Sequence, residues 1–376
     1  MRLRRLQLTD FRSYEALGWR PAAPVAIITG PNGSGKTNLL EAISLLVPGR
    51  GLRSARPTDL PRHGAPHWAV AAEIDRSGLH ALGTGTTPET TDRRVFRLDG
   101  APPRNQAEIA SLLSIVWITP QMDRLFTESA SGRRRFLDRL VWALEPGHAR
   151  EIAAFEHAMA GRNRLLAEPS PDPAWLAGLE DSMARHAIAA AAARRALVAR
   201  LATAPPGAFP ASRVVLLCPI ADRLAHEPAL AAEDWLRDAL AASRARDSSA
   251  GQAALGAHRA DMRLEDHATG LSAALASTGQ QKALLLGVVL AHAAILASAR
   301  GAPPLMLLDE PAVHLDAARR ASLFAALVQG PAQAILTGTD NDAFRPLAGH
   351  AEALLARAGT LLPDPAFPPP GPVNSG

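Results

Sequence analysis

The chain has 376 residues, 47% of them hydrophobic and 20% charged, which is enough apolar material for two packed domains and excludes a fibrous or wholly disordered protein. Basic residues number 40 and acidic residues 36, and the net charge of +4 permits a nucleic-acid partner without demanding one. No stretch reaches the roughly 18 uninterrupted apolar residues of a membrane span, the start MRLRRLQLTDF lacks a signal-length apolar run, and the lone Cys218 allows no internal disulfide, so a soluble, cytoplasmic protein without a membrane partner is expected.

Leu3, Leu6 and Leu8 alternate with polar positions and predict an edge strand over 1–10, and PVAIITG over 24–30 predicts a buried strand. After a glycine-rich turn, Leu39, Leu40, Ile43, Leu46 and Val47 fall at helical spacing. Short segments over 68–75, 79–86 and 93–98 predict an antiparallel sheet, and 114–120 a further buried strand. From about 129 to 204 the pattern is helical without a sustained heptad, which predicts a compact helical insertion rather than an extended coiled coil. The strand-like VVLL and a helix near 229–245 follow. The end alternates again: helix 278–298, strand PLMLLDEP, helix 316–329, strand QAILTGT, the rhythm of a parallel sheet. The tail from 359 is rich in proline and is expected to be disordered.

The turn reads Gly30-Pro31-Asn32-Gly33-Ser34-Gly35-Lys36-Thr37, a match to G-x-x-x-x-G-K-[ST] in its required context, with a strand before it and a helix after. Glycines let backbone N–H groups turn toward phosphate oxygens, the helix N-terminus adds its dipole, Lys36 supplies a point charge and Thr37 a hydroxyl for Mg²⁺. Only two of the basic residues are lysines, Lys36 and Lys282, and both lie in motifs. LMLLDEP places Asp309 and Glu310 where a buried parallel strand emerges. Beside a phosphate loop, Asp309 is expected in the Mg²⁺ shell and Glu310 as the group that polarises a water against the γ-phosphate.

Ser277-Thr278-Gly279-Gln280-Gln281-Lys282 opens a long apolar helix, a start whose unpaired N–H groups and hydroxyls can grip an anion. This arrangement resembles the signature helix of ATP-binding-cassette ATPases, and it implies that Ser277, Gly279 and Gln280 contact the γ-phosphate held by an opposite subunit. His314-Leu315-Asp316 resembles the loop in which an Asp follows the catalytic Glu, and Thr339 stands where many cassette ATPases have a γ-phosphate-sensing His. Gln121 follows a Pro as in cassette transporters and is expected to reach the Mg²⁺ and the attacking water, with a surface-loop Gln as the alternative. Together with LQLTDFRSY, GRGLRSAR at 49–56, the run over 118–138 and GAHRADM at 256–262, these motifs resemble the RecF family, ATPases whose head is similar to that of SMC proteins.

The resemblance implies an α/β fold: a P-loop, ABC-type ATPase head with a mixed sheet and an inserted α-helical lid. The head would comprise 1–125 and 263–358, the lid 126–262 and the tail 359–376. It also implies ATP and Mg²⁺ as ligands, an ATP-dependent homodimer, binding to single-stranded and gapped or junction DNA, a RecR-type mediator as partner, and support of RecA loading and the SOS response. The ATPase subunit of a transporter is the alternative, and a structural nucleotide-binding protein with scant turnover a third reading. For DNA contact the candidates are Arg53, which closely follows the phosphate-loop helix, and Arg133, Arg134 and Arg135. The last three span helical positions that cannot all face one way, so at least one is expected to be solvated or ion-paired. Arg12, Arg56 and Arg259 are further candidates. Phosphate contacts of this kind position a duplex without specifying its sequence.

Overall fold

The computed structural model describes residues 1–204, 209 and 211–368. They divide into two compact units, one built from 1–123 and 277–368 and the other from 124–204 and 212–276.

The first unit opens with β1 (Arg2–Phe11) and β2 (Tyr14–Trp19), followed by β3 (Val25–Thr29), whose five residues are all buried, and α1 (Lys36–Ser44). β4 (Ala69–Asp75), β5 (Leu79–Thr87) and β6 (Thr90–Leu98) form an antiparallel sheet in the order β2-β1-β4-β5-β6. The edge position expected for residues 1–10 is therefore taken by β2, which pairs antiparallel with β1 through a two-residue turn. α2 (Gln106–Leu112) leads to the fully buried β7 (Ile115–Ile118).

The second unit follows with α3 (Ala130–Leu144), α4 (His148–Leu166) and α5 (Pro173–Ala202), then β8 (Ser212–Leu217), α6 (Pro219–Arg223), α7 (Ala229–Ala242), α8 (Arg244–Ala250) and β9 (Asp261–Asp266). Alanines at 184, 187, 190 and 191 on α5 are buried in a core shared with Phe155, Leu236 and Leu240, where small side chains let helices approach closely. Inside this unit Arg162 is fully buried; its Nε donates to Glu180 (2.9 Å), and its two terminal nitrogens to Asp247 (2.9 Å) and the Leu240 carbonyl (2.7 Å). The insertion was expected to end at 262. It extends to 276 because β9 pairs antiparallel with β8 over six residues.

The chain returns to the first unit with α9 (Thr278–Arg300), β10 (Leu305–Leu308), α10 (Ala317–Gln329), β11 (Ala334–Gly338), β12 (Glu352–Arg357) and β13 (Thr360–Pro363). Six strands make a second sheet in the order β13-β12-β3-β11-β10-β7, parallel except for β13. α9 is long and apolar enough to cross a membrane, yet Leu284, Leu285, Leu286, Val288, Val289 and Leu296 are buried in the unit, so it is a core helix. The disordered tail expected from 359 is corrected for its first part: β13 pairs with β12, and Asp364 and Phe367 are buried. The last eight residues of that expected tail lie outside the described residues.

Candidate functional site

β3 ends at Thr29, and Gly30, Gly33 and Gly35 all have positive φ, so the loop curls back before α1 begins at Lys36. A Cβ on Gly30 would stand 2.6 Å from the Ala356 carbonyl oxygen, and one on Gly35 2.9 Å from the Tyr14 hydroxyl. The glycines are therefore demanded by close packing as well as by conformation. Tyr14, fully buried, donates to the Gly35 carbonyl at 3.0 Å and fixes the loop from below. The Lys36 ammonium crosses the loop and donates to the carbonyls of Gly30 (2.7 Å) and Pro31 (2.9 Å). Burial lowers its pKa from the ordinary lysine value, while the charges of Glu310 and Asp309 oppose that shift. Pro31, Asn32 and Gly33 are exposed, and the Ser34 hydroxyl is buried with no hydrogen-bond partner.

Parallel register places β10 beside β11 and β7, and its C-terminal end delivers Asp309 and Glu310 to this loop. Asp309 is buried; its Oδ1 accepts hydrogen bonds from the Thr37 hydroxyl (3.1 Å) and the Thr337 hydroxyl (2.6 Å). Glu310 has φ of 51°, a left-handed conformation unusual for a side-chain-bearing residue. Two groups hold it there. Its N–H donates to the Thr337 hydroxyl (3.1 Å), and its carbonyl accepts from the Lys282 ammonium (2.9 Å). Lys282, 1% exposed, also pairs with Asp123 at 3.2 Å.

Ser277 caps α9, accepting from the Gln280 N–H (3.3 Å), while the Gln280 side chain accepts from the Ser277 N–H (3.0 Å), a reciprocal capping box. Ser277, Thr278 and Gln280 are exposed. A Cβ on Gly279 would sit 2.5 Å from the His314 carbonyl oxygen, so the helix start lies directly on the turn that follows β10. Asp316 caps α10 by accepting from the Arg319 N–H at 2.8 Å and is otherwise exposed.

The structure thus brings together Lys36, Thr37, Asp309 and Glu310. Gln121 is exposed in a short 3₁₀ turn over Pro120–Arg124 and makes no hydrogen bond to Thr37, Asp309 or Glu310; from that segment it is Asp123 that reaches the site, through Lys282. Thr339 is exposed beyond the end of β11, and the threonine in contact with both carboxylate residues is Thr337, two positions earlier. Sequence reasoning missed Thr337, Asp123, Tyr14 and any role for Lys282. A hydroxyl inside the apolar run AILTG was the one visible signal for Thr337.

The arginine candidates divide. Glu41 on α1, buried, takes a two-pronged hydrogen bond from Arg12 (2.9 and 3.0 Å) and another from Arg53 (3.2 Å), which also donates to Asn38 (2.7 Å). In the second unit Arg133 forms a two-pronged pair with Asp261 (2.8 and 2.9 Å), and Arg134 donates to the Ala260 carbonyl. At least one arginine of the triplet was expected to be solvated or ion-paired; Arg133 is ion-paired with Asp261 and also donates to the Glu128 backbone carbonyl. Arg135 alone of that triplet is exposed, and among the described residues its side chain makes no hydrogen bond or ion pair, while Arg259 is held by the Ala253 carbonyl.

With this geometry in view, the comparisons with known proteins decide the family. The model of the RecF/RecN/SMC N-terminal domain matches residues 2–354. The DNA replication and repair protein RecF of Mesorhizobium japonicum is 44% identical over 367 residues, 96% of this chain and 97% of that protein. The chain belongs to the RecF family. RecF of Rhizobium etli strain CIAT 652 is 45% identical, covering 96% of this chain and 98% of its own. Among solved structures, RecF-ATP of the RecFOR pathway matches with a TM-score of 0.81 at 20% identity, covering 96% of this chain and 99% of that one. An SMC head domain from Pyrococcus furiosus, bound to the C-terminal domain of ScpA, matches with a TM-score of 0.52 at 16% identity, covering 96% and 94%. These likenesses establish the P-loop, ABC-type ATPase head as the fold of this RecF-family chain.

Proposed function

We propose that this RecF-family chain is an ATP-dependent DNA-binding switch of replication and recombinational repair. The observation that carries the reading is the convergence of Lys36, Thr37, Asp309 and Glu310 on one loop of the unit that also presents the exposed start of α9. The loop residues Gly30, Pro31, Asn32, Gly33, Ser34 and Gly35 cradle the triphosphate with backbone N–H groups, and the unpartnered Ser34 hydroxyl is a donor in want of an acceptor. Lys36 exchanges its two carbonyl partners for phosphate oxygens. The Thr37 hydroxyl and Asp309 carboxylate, 3.1 Å apart, are the hard oxygen donors that suit Mg²⁺, which when bound neutralises charge on the phosphates. Gln121 belongs to the same reading as a further oxygen donor near the metal and the water. Glu310 takes a proton from the water whose oxygen attacks the γ-phosphorus, and ADP and phosphate leave.

Ser277, Gly279 and Gln280 complete the phosphate site of a second copy, with Asp316 and Thr339 at its margin, so ATP closes a homodimer on gapped or junction DNA and slow hydrolysis opens it. A RecR-type mediator, RecA loading and SOS induction belong to the same reading, as does a cytoplasmic location. Relatives that carry the name DNA replication and repair protein set the transporter alternative aside. The test is the molar mass by light scattering with ATP and Mg²⁺, with and without gapped DNA. Glu310→Gln is expected to accumulate dimer; a variant that stays monomeric with saturating ATP refutes the switch.

A further inference from the structure

Beyond the C-terminal end of α1, the first unit has a cleft of about 450 Å³ whose walls come from the segments 45–60 and 92–96, with Gln106 at the start of α2. Arg50 and Arg56 enter it from the first, Arg93 and Arg94 from the second, and Asp92 is the one carboxylate among its lining residues. Arg50, Arg56 and Arg93 are exposed, and among the described residues their side chains make no hydrogen bond or ion pair. Arg94 is anchored: it donates to the carbonyls of Val47 (3.0 Å) and Gly49 (2.8 Å) and its guanidinium lies 4.6 Å from the Phe96 ring centroid. These partners are neutral, and burial pulls Arg94 down to about 10, so a cation that stays charged at neutral pH sits desolvated without an acid to compensate it. Four other arginines of this unit already have an acidic partner: Arg12 and Arg53 pair with Glu41, Arg4 with Asp75 and Arg62 with Asp10.

We propose that this cleft binds the phosphodiester backbone of DNA, with Arg50, Arg56 and Arg93 as phosphate contacts and Arg94 as the fixed floor. The inference rests on the DNA-binding reading above and gives it a surface. Three exposed guanidinium groups around one anchored one suit successive phosphates along a strand better than a single small anion. Segment 49–56 also carries Arg53, bonded to Asn38 and Glu41 on α1, so the same stretch of chain touches the helix of the phosphate loop and the proposed DNA contact. Arg53, the leading arginine from sequence alone, is on this reading the tether, and its neighbours make the contact.

The experiment measures duplex DNA affinity by fluorescence anisotropy between about 50 and 200 mM salt, with ATP and Mg²⁺ present. It compares the wild type with an Arg50→Ala, Arg56→Ala, Arg93→Ala triple variant. A charge-matched control replaces the exposed Arg150, Arg185 and Arg213 of the second unit. Removing three contacts is expected to lower the slope of log affinity against log salt by about 2 to 3 and to weaken binding more than tenfold, with nucleotide affinity unchanged and the control close to wild type. Equal loss in the control, or unchanged DNA affinity in the cleft variant, overturns the proposal. So does inorganic phosphate binding that the cleft variant loses while its DNA affinity stays intact, which would make the cleft a small-anion site. A wild type that binds no DNA refutes the broader reading and this one with it.

Discussion

Replacing Lys282 with Met keeps the bulk of the side chain and removes its ammonium from two groups at once. Asp123 loses its ion pair at 3.2 Å, and the Glu310 carbonyl loses its donor at 2.9 Å. The second oxygen of Asp123 already has no partner, and its side chain is 15% exposed, so the carboxylate cannot recover its losses in water. Breaking one side of such a pair costs about 3–5 kcal/mol when fully buried, and the residual exposure here places the expectation near the lower end. Function should fall for a separate reason. A charge-assisted hydrogen bond of about 1.5–3 kcal/mol, beside that from the Glu310 N–H to Thr337, holds Glu310 in its left-handed backbone conformation. If that energy positions the carboxylate for hydrolysis, its loss slows the chemical step by roughly 10- to 150-fold. Single-turnover hydrolysis of ATP measures the step, and urea unfolding measures the stability. The double variant Lys282→Met, Asp123→Leu separates the two, because it removes the stranded charge without restoring the donor to Glu310: stability should largely return and hydrolysis should remain slow. A double variant that hydrolyses ATP at the wild-type rate would show that Lys282 serves only as a counter-ion and would refute the positioning argument.

Thr337→Val keeps the shape and deletes the hydroxyl shared by Asp309 Oδ1 and the Glu310 N–H. It is expected to cost about 1–3 kcal/mol by leaving a buried carboxylate underbonded, and to raise the Mg²⁺ concentration needed for half-maximal hydrolysis, read from a metal titration. Arg162→Met leaves Glu180 and Asp247 buried without their common cation, although Arg244 still serves Glu180. Thermal unfolding should show a loss of about 3–5 kcal/mol, while nucleotide affinity stays unchanged. For Asp138, burial pushes the carboxyl up, but hydrogen bonds from His148 and Arg194 outweigh it and leave the pKa below the ordinary value. The folded state therefore holds fewer protons than the unfolded chain between the lowered and the ordinary value. The stabilisation is complete above the ordinary carboxylate pKa of about 3.9 and is lost as pH falls through the lowered one. Acid unfolding followed by circular dichroism should show that slope reduced in Asp138→Asn.

Much of this molecule is legible in its sequence because its strongest signals are local. β3, β7, β10 and β11 are short apolar runs with turn residues at their ends, and the phosphate loop carries its own context of strand and helix. Pairing across long separations is harder to see. β2 reads as an unremarkable YEALGW until β1 lies beside it, and β13 is hidden in a proline-rich segment whose partner, β12, has no sharp alternation. The same limit applies at the site. Lys36, Thr37, Asp309 and Glu310 stand in motifs, whereas Thr337 and Asp123 matter because the fold carries them to Asp309 and Lys282, from 28 and 159 residues away. Arg133 and Arg134 read as a basic surface, yet their partners, Asp261 and the Ala260 carbonyl, come from the start of β9 and the residue before it, more than a hundred residues later.

The bare backbone of Gly279 rests on the carbonyl of His314, with no room for even a methyl group between them. A steric contact of this kind works as an interlock. The start of α9 cannot slide past the turn after β10, and that turn is continuous with Glu310 four residues before it. A molecule that presses on the exposed Ser277, Thr278 and Gln280 therefore pushes, through packed atoms, on the backbone that aims the carboxylate. Water can replace a hydrogen bond, but it cannot enter a gap that does not exist, so this contact holds at any salt concentration.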